Sequence, residues 1–136
     1  MVQLENRLAL VVEGDAHSLA VISSLLRDLG IVYKRNTTGA NVLEQLRAMQ
    51  PRPDFILMNL DLPENDGFTV GVAILEDHAL ADIPIILLGS GGLGDLVPRL
   101  SGSAFAGYVS KPLPRKSFGD ILRRVLSGEH VWEIAV

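Results

Sequence analysis

Several apolar runs in this chain give way to a residue that could do chemistry. Glu13-Gly14-Asp15 follows the run 8–12, and Asn59 and Asp61 close the run that begins at Phe55. Gly89-Ser90-Gly91-Gly92 follows the run ending at Leu88, and Ser110-Lys111-Pro112 follows the run 105–109. A hard cation such as Mg²⁺ is usually held by one or two carboxylates together with phosphate oxygens. Asn59 carries a neutral amide, whose oxygen is a poor nucleophile. Lys111 taken alone reads as a solvated surface lysine. Among these neighbours it is expected to pair with Glu13 or to hydrogen-bond the side-chain oxygen of Asn59.

What must position these residues is an alternation of strands and helices. Apolar runs at 8–12, 31–34, 55–60, 83–88 and 105–109 read as five strands. The first, third and fourth are almost wholly apolar, as strands covered on both faces should be. The mixed run 31–34 and the short last run, with Gly107, are the expected sheet edges. Between them lie helical stripes. Leu19, Ile22, Leu26 and Leu29 end at Gly30; Val42, Leu46 and Met49 end at Pro51 and Pro53; a weaker helix covers 68–78. Leu96, Leu100 and Ala104 suggest a short fourth helix, with Pro98 tolerated in its first turn if Asp95 is the N-cap. Phe118, Ile121, Leu122 and Val125 define a fifth, with Arg123 and Arg124 placed to suit the dipole in its last turn. The order β-α repeated five times implies an α/β fold of parallel strands joined by right-handed crossovers, with helices on both faces. In such open sheets a site forms beyond the carboxyl ends of the strands, where the strand order reverses. Residues 1–127 form the expected domain. Residues 128–136, with Val131, Trp132, Ile134 and Val136, read as a tail or linker.

Composition narrows the chemistry. The 136 residues suit one domain with one core, and 48% of them are hydrophobic, as in a folded globule. No apolar run is long enough to span a membrane, and residues 1–7 do not read as a secretory signal. The absence of cysteine excludes disulfides and thiol chemistry and fits a cytoplasmic setting. A net charge of −4 favours neither nucleic acid nor an anionic membrane, so Arg115, Lys116, Arg123 and Arg124 read as a solvated helix face. His17, His78 and His130 show no metal-ligand spacing. The segment 89–94 lacks the lysine and Ser/Thr of a phosphate loop, and no nucleophile-elbow sequence is present.

From about residue 8 to residue 126 the chain resembles the receiver domain of two-component response regulators (CheY-like). The resemblance rests on Val11-Val12-Glu13, on Asn59-Leu60-Asp61-Leu62-Pro63 with Asp66-Gly67, and on Gly107-Tyr108-Val109-Ser110-Lys111-Pro112, in that order and spacing. It implies a doubly wound, flavodoxin-like sandwich with a five-stranded parallel sheet of order 2-1-3-4-5. Helices one and five lie on one face and helices two, three and four on the other. It also implies a mechanism. An aspartate ending strand three accepts a phosphoryl group. Two acids after strand one hold Mg²⁺, which offsets the incoming charge. A hydroxyl residue ending strand four and a lysine ending strand five bind the phosphoryl oxygens.

The sequence departs from that pattern at three positions. Asn59 replaces the acceptor, Gly14 the second acid and Gly89 the hydroxyl residue; Glu13, Lys111 and the switch aromatic Tyr108 remain. Three losses argue for natural degeneration over a single engineered change. Asp61 as a displaced acceptor would move the nucleophile by up to about 7 Å along an extended chain, too far for the same in-line geometry. It reads instead as a loop acid that leads into Pro63. Asp15 is expected to cap the first helix rather than to replace the acid missing at Gly14.

The resemblance and its departures together imply a pseudo-receiver. It is not an enzyme, needs no cofactor, binds Mg²⁺ weakly or not at all, and acts through protein contact. The expected partner is a histidine kinase or an effector domain, or a second copy of the chain. The contact face is the one made by helix four, strand five and helix five, with Tyr108 near its centre. The competing expectation is a working phosphoacceptor of a response regulator or hybrid kinase. A nucleotide or flavin binder using the same crevice is a third, for which no stacking aromatic pair is in evidence.

Overall fold

A computed structural model of the chain describes residues 2–90 and 104–133. Leu96 and Leu100, which carry most of the expected fourth helix, and Gly91 to Gly94 of the glycine-rich segment lie outside the described residues. The elements are β1 (Leu8–Val12), α1 (Ala16–Asp28), β2 (Val32–Asn36), α2 (Val42–Ala48), β3 (Phe55–Asn59), α3 (Gly67–Leu75), β4 (Ile85–Gly89), β5 (Gly107–Ser110), α4 (Phe118–Leu126) and β6 (Val131–Glu133). The expected fifth helix is therefore α4.

The strands form one parallel sheet of order β2-β1-β3-β4-β5-β6. Within it stands the expected order 2-1-3-4-5. β3 and β4 are buried along their whole length, as their apolar sequences require. β2 is the expected edge, and its Val32 is 55% exposed. The other edge differs from expectation. The segment read as a tail returns as β6 and pairs with β5, Gly107 against Val131 and Tyr108 against Trp132. β5 is thus an interior strand and wholly buried. The reason lies in Gly107. A Cβ there would stand 2.3 Å from the Val131 carbonyl oxygen, so only glycine lets the sixth strand dock. Val131 is buried, and His130 Nδ1 lies 2.8 Å from the Phe105 carbonyl oxygen.

Side chains alternate between two cores, one on each face of the sheet. Ala9, Val11, Phe55, Leu57, Ile86, Leu88 and Val109 pack under α1 and α4, which contribute Ile22, Leu26, Phe118 and Leu122. Leu10, Val12, Ile56, Met58, Leu87 and Tyr108 pack on the other face with Val42 and Leu46 of α2 and Ile74 of α3. α1 starts at Asp15, whose carboxylate accepts from the Ser18 amide, as the N-cap reading expected. The i, i+3 apolar stripe of α1 ends as Gly30 takes φ +75. α3 begins on Asp66 and stops at Leu75, shorter than expected.

Candidate functional site

The parallel sheet delivers the ends of β1, β3 and β5 to one rim, and so brings together three residues far apart in sequence. Glu13 follows β1, Asn59 ends β3 and Lys111 follows β5. Glu13 is fully buried. Its Oε1 accepts from Lys111 Nζ at 2.6 Å, and its Oε2 accepts from Asn59 Nδ2 at 2.6 Å and from the Asp15 amide at 3.2 Å. Of the two partners expected for Lys111, the structure places it on Glu13. The ammonium also donates to Ser18 Oγ at 3.1 Å. Ser18 was missed by the sequence reading. Its signal was its place three residues past the N-cap, on the first turn of α1 above the same rim.

Asn59 is buried, and its amide is used on both sides. Nδ2 also donates to the Asp61 carbonyl at 3.0 Å, and Oδ1 accepts from the Asp61 amide at 3.3 Å. The backbone of Asp61 is tied further by a bridge to Asp66. Its side chain is exposed, which fits a loop acid.

Gly14 and Gly89, which depart from the receiver pattern, are both closed by neighbours. A Cβ on Gly14 would lie 2.7 Å from Pro63 Cδ and 2.8 Å from the Thr37 carbonyl oxygen, so no side chain fits there in this backbone. A Cβ on Gly89 would lie 2.9 Å from Tyr108 Oη. Tyr108 is fully buried, and burial pushes its phenol above the ordinary range; a hydrogen bond with Ser110 acts the other way, and the charge of Asp61 adds to the rise.

Two depressions flank the buried contact. An open crevice of about 750 Å³ is lined by Gly14, Asp15, Asp61, Pro63 and Asp66 among others. A groove of about 410 Å³ runs between α1 and the segment after β5, past His17, Ser18, Val21, Lys111 and Leu113. Glu13 and Asn59 line neither. Asp15, held below the usual carboxylate range chiefly by hydrogen bonds from Ser18, works as the helix cap. Among the described residues no cluster of three His, Cys, Asp or Glu has metal-binding geometry, and no helix is long and apolar enough to cross a membrane. Arg123 pairs with Asp120 and Arg124 with Glu129 at exposed positions, as a solvated face should.

The family model of the response regulator receiver domain matches residues 9–123, most of the chain. The chain belongs to the receiver family. Among relatives, it is 28% identical over 123 residues to the two-component response regulator-like protein APRR9 of Arabidopsis thaliana, covering 90% of this chain and 25% of that protein. The chain thus spans about a quarter of the length of that relative. It is 26% identical over 117 residues to the polar-differentiation response regulator DivK of Brucella anthropi, covering 86% of this chain and 94% of that one. Among solved structures, the receiver domain of a Pseudomonas aeruginosa sensor histidine kinase, with a magnesium ion coordinated in its active-site cleft, superposes with a TM-score of 0.79 at 26% identity. That match covers 90% of this chain and 98% of the other. The receiver fold, its parallel sheet and its place in two-component signalling follow from this membership.

Proposed function

We propose that this receiver domain takes no phosphoryl group and signals through protein contact. The observation that carries the reading is the 2.6 Å bond from Asn59 Nδ2 to Glu13 Oε2. At the place where a receiver needs a reactive carboxylate, a neutral amide donates to the acid that would otherwise face a cation. The residues present do not fit Mg²⁺. Both Glu13 oxygens are engaged by donors, and the position for a second acid is filled by Pro63 and the Thr37 carbonyl. A hard cation needs oxygen ligands with free lone pairs, and Glu13, the one acid that matches the receiver pattern, is already neutralised by a lysine. Mg²⁺ binding is therefore weak or absent, and the domain is a binding module, not an enzyme.

The partner is a protein of a two-component system, a histidine kinase or an effector domain, or a second copy of this chain, met in the cytoplasm. Nucleic acid and membrane are not its targets. The contact face contains α4 and the flank of β5, but the β5 edge itself is taken by β6. Trp132, 41% exposed, then stands where that edge would have been presented.

The retained Lys111–Glu13 pair favours one rival, a working phosphoacceptor. Incubation with acetyl phosphate and Mg²⁺ followed by intact mass separates the two. An unchanged mass is expected. A gain of one base-labile phosphoryl group would sink the proposal.

A further inference from the structure

The two depressions beside the buried contact carry opposite charge. The open crevice is lined by Asp15, Asp61, Glu64 and Asp66. The groove between α1 and the segment after β5 is lined by His17, Lys111 and Arg115, and by no acid. The rest of its lining is largely apolar, from Val21 and Ile22 of α1 and from Pro112 and Leu113. Ile22 and Leu113 belong to the core, so the groove has a fixed apolar base. At about 410 Å³ it has the size of a site for a small organic molecule. Its donors are open to a ligand. Lys111 Nζ carries three N–H groups. Glu13 Oε1 and Ser18 Oγ take two of them, and 20% of the side chain stays exposed. Glu13 balances the lysine charge. Arg115 differs: it is exposed and makes no ion pair or hydrogen bond with another described residue. In a chain of net charge −4, this groove thus holds an unbalanced positive charge beside an apolar base.

We infer that this groove is a binding site for a small organic carboxylate with an apolar body. The carboxylate takes hydrogen bonds from Arg115 and from the third N–H of Lys111, and Arg115 meets its charge. The apolar body covers Val21, Ile22 and Leu113. Both parts of such a ligand are needed. A small inorganic anion leaves the apolar base in water, and an uncharged body leaves the arginine without a counter-charge. The groove is separate from the phosphoryl crevice, because Asn59, Asp61 and Gly89 line no part of it. The inference therefore does not depend on whether Asn59 accepts a phosphoryl group.

The test is a titration of the isotope-labelled full chain with octanoate, followed through its amide NMR spectrum. Saturable shifts are expected at the amides of Ser18, Val21, Leu113 and Arg115. Acetate has the charge without the body, and octanol has the body without the charge. Each is expected to bind about tenfold more weakly than octanoate, or weaker still. Arg115→Gln removes the charge at an exposed position. It is expected to weaken octanoate about tenfold and to leave the urea midpoint unchanged. Octanoate that leaves these amides unmoved, or that moves amides elsewhere instead, overturns the inference. So does octanol or acetate binding as tightly as octanoate, or a folded Arg115→Gln variant with native affinity. The ligand series on the native chain decides the matter even if that variant fails to fold. The proposed function is read from intact mass after acetyl phosphate, so either can fail while the other stands.

Discussion

Lys111 Nζ sits 2.6 Å from Glu13 Oε1, with Glu13 wholly shielded from water and Lys111 keeping 20% of its side chain exposed. A buried ion pair of this kind adds little net stability, because desolvation consumes most of the attraction, but breaking it from one side strands a charge. Lys111→Met should destabilise the domain by about 3 kcal/mol. Combining it with Glu13→Gln should recover most of that loss, since the stranded charge is gone. Urea denaturation of the two single variants and the double variant measures this.

Asn59→Asp restores the acceptor residue type and should fail to restore the acceptor. The substitution exchanges an amide-to-carboxylate bond of 2.6 Å for two carboxylates at the same distance. Both cannot ionise side by side, so one pKa of the pair rises. Stability linked to a raised folded pKa is present at low pH and lost as pH rises through that value. The variant should be less stable than the native chain at neutral pH, by about 2 kcal/mol, and should close the gap on acidification. Thermal melts across pH read this directly.

Gly14→Asp should be costly for a steric reason. Its Cβ alone would fall within 2.8 Å of both Pro63 and the Thr37 carbonyl. Overpacking at such a site costs about 1–3 kcal/mol. Pro63→Ala in the same chain should relieve part of the cost, which a melt of the double variant would register.

Gly107→Val should detach β6 while leaving β1 to β5 intact, because the new side chain meets the Val131 backbone. The loss of Val131 burial costs about 2 kcal/mol. Trp132 emission should move to longer wavelength, and native-state hydrogen exchange of the Val131 amide, which donates to the Ala106 carbonyl at 3.0 Å, should accelerate.

Arg47 of α2 pairs with Asp77 beyond α3 and holds its carboxyl below the usual range by a side-chain hydrogen bond. A depressed folded pKa contributes stability above the unfolded value, and that stability is lost as pH falls through the folded value. Arg47→Ala should therefore be slightly less stable at neutral pH, with the difference vanishing in acid. Paired acid titrations followed by circular dichroism test the sign.

Much of the fold was legible because β1, β3 and β4 are nearly continuous apolar runs and their helices carry i, i+3 stripes. The rim was legible for the same reason. Asn59 and Lys111 lie 46 and 98 residues beyond Glu13 along the chain, yet each of the three stands where an apolar run stops. What fills the rim was not legible. Pro63, Thr37 and Ser18 act through shape and backbone, and residue type does not announce that. β6 escaped for a different reason. Val131-Trp132-Glu133 is too short to show a period, and Gly107 looked like a weakness in an edge strand when it is the opening that admits the next one.

The sixth strand also changes the direction in which the polypeptide travels. At Leu126 the backbone heads toward the amino ends of the strands, away from the Asn59 rim. At Glu133, after running parallel to β5, it heads toward that rim. The last described strand thereby ends on the side of the sheet that carries the Asn59 rim, and not at its base.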